Sequence, residues 1–327
     1  METTSRLLLV LLLVTGVAPP AAPQTSAATH NQWTSGAPMP TAVVGPVAGV
    51  LGGQIYVVGG ASNFNPVADT QIYNPATNTW AVGVPLPSPL GDAAVAVVNG
   101  IFYVIGGENN SNGTSVLNTV WAYDPRTGSW SSKASMPTAR TVPVAVVENG
   151  IIYVVGGWDG VFGDGGLDTV ESYNPATDTW KEESTLRVGK MAPSGGLFGT
   201  KATGFSIAVP DGAAQCCPSG FTGDNEAYNA STNTWRSLKS DPRARGFACF
   251  GSVGQQLYVA GGNNTQGPAL NVTESYSLPG NAWKTLAPIP QGTIAPASTV
   301  YNGRLYCFGG WDAWNGNDLD NVQVYQP

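Results

Sequence analysis

Residues 73–80 read YNPATNTW, and the frame returns at 123–130 (YDPRTGSW), 173–180 (YNPATDTW), 228–235 (YNASTNTW) and 276–283 (YSLPGNAW). Tyr and Trp stand seven residues apart each time. The Asn-Pro or Asp-Pro start presets a tight turn, because proline fixes φ and an Asx side chain caps the turn. Each Tyr therefore ends one strand and each Trp belongs to the next. Working outward, a diglycine follows an apolar run in five places: Gly59-Gly60, Gly106-Gly107, Gly156-Gly157, Gly261-Gly262 and Gly309-Gly310. From Trp33, Trp80, Trp130, Trp235 and Trp283 to the first of these glycines the distance is always 26. Turns such as Asn99-Gly100, Asn149-Gly150 and Asn302-Gly303 split the intervening stretch into two strands. Each unit reads as four antiparallel strands, a to d.

These landmarks, with a period of about 50 residues, resemble those of the kelch repeat from about Trp33 to the C-terminus. The resemblance implies an all-β fold, a kelch β-propeller. Five diglycines mark five units. A sixth, degraded unit lies between Trp180 and Trp235, where Pro210-Asp211-Gly212 stands in place of the diglycine. The last unit in the chain stops at Tyr325 before its turn and Trp, while Trp33 has no preceding Tyr. An N-terminal strand that completes the last of six blades accounts for both and removes two free sheet edges. We expect the Trp33 strand beside the strand ending at Tyr325.

Composition agrees with strands rather than helices. The chain has 327 residues, 42 Gly, 25 Pro and 10 Trp, but only 11% charged side chains. The net charge of −7 disfavours sequence-independent binding of nucleic acid. Residues Leu7 to Val14 (LLLVLLLV), after Arg6, are too short to span a membrane and have the length of a signal-peptide core. Ser26-Ala27-Ala28 offers small residues for cleavage, so we expect a signal peptide over 1–28 and an exported propeller over 29–327. The product would be secreted, extracellular or periplasmic according to the host, with no membrane span.

Export changes how cysteines and asparagines read. Pairing of Cys216 or Cys217 with Cys249 is favoured over a strained adjacent bridge, leaving Cys307 as a buried free thiol. Asn109, Asn112, Asn229, Asn263 and Asn271 head sequons and are glycosylation candidates in a suitable host.

The spacings also locate the candidate site. The distance from second Gly to Tyr varies from 13 to 16, and this variable segment joins strands b and c. In an antiparallel meander the b–c loops share one face with the d–a loops, which makes that face the candidate binding surface. It carries Trp158-Asp159, Trp311-Asp312, Trp314 and Glu108, aromatic planes beside hydrogen-bonding groups suited to sugars or extended peptides. The Gly/Asp-rich stretch Asp159–Asp168 reads as a turn-rich loop rather than a calcium site, since its spacing matches no EF-hand. Arg140 and Arg245 each stand 16 residues before a diglycine, at the start of strand a. In cytoplasmic kelch adaptors, arginines of this region help bind acidic peptides, and the resemblance implies a similar use. The alternative is an ion pair with a neighbouring loop carboxylate.

Enzymatic readings narrow quickly. His30 is the sole histidine, so the copper ligands of seven-bladed galactose oxidases, which have a similar architecture, are missing, as is any histidine for a Ser–His–Asp set. Sialic-acid mutarotases, exported six-bladed kelch proteins, would need a Glu/Arg pair, for which Glu108 with Arg140 or Arg245 is the candidate. The sequence points first to a non-catalytic, cofactor-free module that binds an extracellular protein or glycan, and second to a cofactor-free sugar-modifying enzyme.

Overall fold

The computed structural model describes residues 30–110, 115–161, 165–198, 204–214, 220–264 and 267–327. The expected signal peptide, Asn112, Cys216 and Cys217 lie outside them. Among the described residues every regular element is a β-strand, and six four-stranded antiparallel sheets succeed one another as blades. Blade 1 comprises Val47–Leu51, Gln54–Val58, Thr70–Asn74 and Thr79–Val82 as strands a to d. Blade 6 takes its outer strand from the N-terminus: Gln32–Ser35 pairs with Val322–Gln326, with Trp33 opposite Tyr325. The expected ring closure is present.

The seven-residue frame is what holds neighbouring blades together. Each Tyr ring packs on its Trp at a centroid separation of 4.9 to 5.2 Å, the Trp33–Tyr325 pair included at 5.1 Å. Such pairs contribute about 0.5–1.5 kcal/mol each beyond burial. Each Trp indole N–H then donates to a carbonyl just after strand d of the preceding blade, as Trp80 does to Ala37 and Trp33 to Ala287. Five residues beyond the Tyr sits an Asx with positive φ, for example Asn78 at 55°. Its side-chain oxygen accepts from the Tyr hydroxyl at 2.7 Å and from the backbone N–H of Ala37 in the preceding blade at 2.6 Å. Blade 2 has Gly128 there and lacks that clasp.

The degraded unit is a complete blade. Asp211 and Gly212 adopt φ of 64° and 105°, the backbone of an intact diglycine. At Gly212 a side chain would meet the carbonyl of Met191, so this glycine survives where its partner did not. The cysteine expectation is corrected. Cys249, on strand a of blade 5, is bonded to Cys307, on strand b of blade 6. Both sulfurs lie in the packing between those blades, which brings together residues 58 apart in sequence. Cys307 is therefore not a free thiol.

Candidate functional site

The six a strands surround a central channel with a cavity of about 450 Å³, lined mainly by Gly, Ala, Val and Pro. Its end on the b–c/d–a face is lined by one residue from the segment shortly before strand a in each blade. Gly45, Asp92, Val142, Ala192, Phe247 and Ala295 all have positive φ, between 48° and 64°. Each amide donates to the carbonyl of the equivalent residue next door: Asp92 to Gly45, Val142 to Asp92, Ala192 to Val142, Phe247 to Ala192, Ala295 to Phe247, and Gly45 to Ala295. The six bonds, 2.7 to 3.2 Å, form a closed circle. Left-handed backbone in five side-chain-bearing residues is costly, and the circle offsets that cost by satisfying the amides at the neck.

Around this neck stands a second six-membered set, the residue after each diglycine. Ala61, Glu108, Trp158, Ala213, Asn263 and Trp311 each bridge back to the segment before strand a. The backbone pairing is the same six times, whereas the side chains differ. Glu108 and the neck residue Asp92 are neighbours in this crown. Burial raises the Asp92 carboxyl to about 6, and burial together with the charge of Asp92 raises Glu108 to about 7. Trp158 donates its indole N–H to the carbonyl of Val161, and Asp159 receives the Val161 amide, so both are held within their own loop. Trp311 and Asp312 form one arm of a short hairpin with Asn317–Asp318, and Trp314 at its tip is 80% exposed.

The structure places Glu108, Trp158, Asp159, Trp311, Asp312 and Trp314 on the loop face, spread over blades 2, 3 and 6. It places Arg140 and Arg245 beneath that face, at 0% exposure. Arg140 donates to the carbonyls of Gly156 and Thr169 and pairs with the Glu171 carboxylate at 2.6 Å. Arg245 pairs with Asp241 at 3.2 Å and with Glu274. Blade 4 puts Lys190 in the same position, donating to the carbonyls of Val209 and Asp224, with Glu226 at 3.9 Å. Burial lowers the Lys190 pKa to about 8, against the pull of Glu226 and neighbouring aspartates. The blades co-vary at this point. Blades 3 to 5 pair a cation with a Glu two residues before the strand c Tyr. Blades 1 and 6 have Val43 and Thr293 with Gln71 and Gln323, each Gln bonded to its d–a loop backbone. The three cations tie loop to blade and are not reachable from the face.

Sequence reasoning did not single out Asp92, Lys190, Glu171 or Glu274. The three glutamates, two residues before Tyr173, Tyr228 and Tyr276, are the signal that the cations have partners. Of the sequons, Asn109 and Asn271 are exposed and Asn263 is half-buried. Asn229 is 8% exposed and its oxygen accepts from Ser231, so that acceptor is occupied in its own turn.

Comparison with known proteins agrees with this geometry. A family model described as the Attractin/LZTR1 β-propeller matches residues 55–320. Kelch-like protein 23 of Homo sapiens is 28% identical over 102 residues, 31% of this chain and 17% of that protein. An F-box/kelch-repeat protein of Arabidopsis thaliana is 28% identical over 136 residues, 39% of this chain and 36% of that protein. These matches thus span only 17% and 36% of the relatives' lengths. Among solved structures, that of YjhT superposes with a TM-score of 0.73 at 20% identity, covering 88% of this chain and 96% of that one. At that identity the likeness is one of fold. With six four-stranded blades and a family match over most of its length, this chain belongs to the Attractin/LZTR1 β-propeller family and is a kelch-type propeller.

Proposed function

We propose that this chain is a secreted, non-catalytic module that recognises an extracellular protein or glycan through its b–c/d–a loop face. A kelch-type propeller supports a binding or scaffold role in general. The observation that carries the finer reading is the crown: one backbone frame repeated six times, filled with unlike side chains that include Trp158, Trp311, Glu108 and Asn263. An invariant frame with variable contents is how a rigid scaffold presents a specific surface. Export is supported by the apolar run at Leu7–Val14 and by the Cys249–Cys307 bridge, because such bonds persist in oxidising compartments. Among the described residues no helix is long and apolar enough to cross a membrane.

The runner-up is a cofactor-free sugar-modifying enzyme. Asp92 and Glu108, both raised towards neutrality, favour it because acid–base groups work best near the ambient pH. Weighing against it, the arginines that could complete a Glu/Arg pair are sealed in ion pairs. Screening the protein on glycan and extracellular-protein arrays tests the first reading, with ligand lost on Trp158→Ala and Trp311→Ala. Exchange NMR of free sugars tests the second: anomer interconversion accelerated by the wild type and abolished in Glu108→Gln would overturn the non-catalytic reading.

A further inference from the structure

Two large side chains on the loop face are held out in solvent at the rim between blades 6 and 1. Phe64 is 65% exposed at the tip of the hairpin Ala61–Ser62/Asn65–Pro66, and Trp314 is 80% exposed at the tip of Trp311–Asp312/Asn317–Asp318. The hairpins are joined, since the Asn63 amide donates to the Asp318 carboxylate at 2.6 Å. Phe64 stands at φ 63°, beside Asn63 at 49°. A phenylalanine there sacrifices both backbone comfort and burial. No packing inside the propeller explains either tip residue.

The charge around these tips is one-sided. The b–c segments 61–69 and 311–321 carry Asp69, Asp312, Asp318 and Asp320 and no Lys, Arg or His. The d–a segments that flank them, 36–46, 83–93 and 286–296, contain no cation either. On the opposite half of the same face stand Arg187 and Arg243, in the d–a segments before blades 4 and 5. An uncompensated acidic rim rejects phosphate, sulfate and carboxylate ligands and attracts cations. Flat exposed rings beside it add a surface on which guanidinium and ammonium groups stack.

We propose that this rim docks a basic, extended segment of a partner protein, with Arg or Lys side chains laid across Phe64 and Trp314 and their charges met by Asp312 and Asp318. The proposal rests on the reading of the loop face as a binding surface and names the chemistry of its partner. Charge complementarity selects a basic peptide over a neutral glycan, which brings no cation to the uncompensated carboxylates.

Fluorescence anisotropy of the full chain tests this with three probes: a labelled peptide of alternating Arg and Gly, its Glu–Gly counterpart, and a labelled neutral chitotetraose. The expected result is binding of the basic peptide alone, weakened at least tenfold between about 50 and about 500 mM salt. Phe64→Ala and Trp314→Ala, which leave the charge untouched, should each weaken it by about tenfold; Val82→Ala, exposed on the outer strand of blade 1, should not. Phe64→Gly serves as a folding control, because glycine takes φ 63° without strain and should raise thermal stability while losing the peptide. No binding of the basic peptide, equal binding by the aromatic variants, or salt-independent capture of the tetrasaccharide at these residues would overturn the proposal. The loop-face reading fails separately, if array ligands survive Trp158→Ala and Trp311→Ala.

Discussion

At the residue scale, Arg140 and Arg245 show what sequence position conveys and what it omits. Their place before strand a, 16 residues ahead of a diglycine, was legible. Their burial was not, because the d–a loop folds over them and the Glu that compensates each comes from strand c. The chain supplies its own control, since blade 1 has Val43 and Gln71 at these points. Arg140→Val alone strands a buried carboxylate at Glu171 and should cost about 3–5 kcal/mol in denaturant unfolding. Adding Glu171→Gln, which copies blade 1, should recover most of that loss. At the neck, burial sets Asp92 at about 6 in the fold against 3.8 ordinarily. A carboxyl raised by folding favours the native state below its ordinary pKa, and that advantage is lost as pH rises through about 6. Asp92→Asn should therefore stabilise the protein at pH 7.5 by on the order of 2 kcal/mol and have little effect near pH 4, read from thermal melts across that range.

At the element scale, the repeat's turn and strand chemistry was readable because it is local. YNPATNTW states its own hairpin, and Asn-Gly its own. The function of the spacing was not readable from one unit: the Tyr, the Trp and the Asx meet only so that they can hold the preceding blade. The disulfide failed for the same reason. Which cysteines face each other depends on how strand a of one blade lies against strand b of the next, and no sequence spacing encodes that. Cys249–Cys307 closes a loop of about 58 residues, so the double variant Cys249→Ala/Cys307→Ala should lose up to about 4 kcal/mol by the chain-entropy estimate. Reduction of the wild type should match it in urea unfolding, and a wild type indifferent to reductant would contradict the bridge.

At the scale of the whole molecule, the six blades and their closure followed from counting, because the ends of the chain complement each other. The hydrogen-bonded circle at the neck did not, since Gly45, Asp92, Val142, Ala192, Phe247 and Ala295 share a backbone conformation and nothing else. That division explains the candidate site. Backbone symmetry builds a rigid crown, and side-chain asymmetry gives it an aromatic, acidic side and a side bearing Arg187 and Arg243. The face opposite presents the short strand c to d turns, with Arg126 tied to Asp124 within one of them. The central claim is that recognition belongs to the loop face. The most direct measurement is quantitative binding of an array-identified ligand to three single variants: Trp158→Ala and Trp311→Ala on the loop face, and Arg126→Ala on the opposite one. Loss of at least about tenfold for one or both tryptophan variants, with Arg126→Ala unchanged, is expected. Binding that survives both tryptophan changes and falls with Arg126→Ala would contradict it.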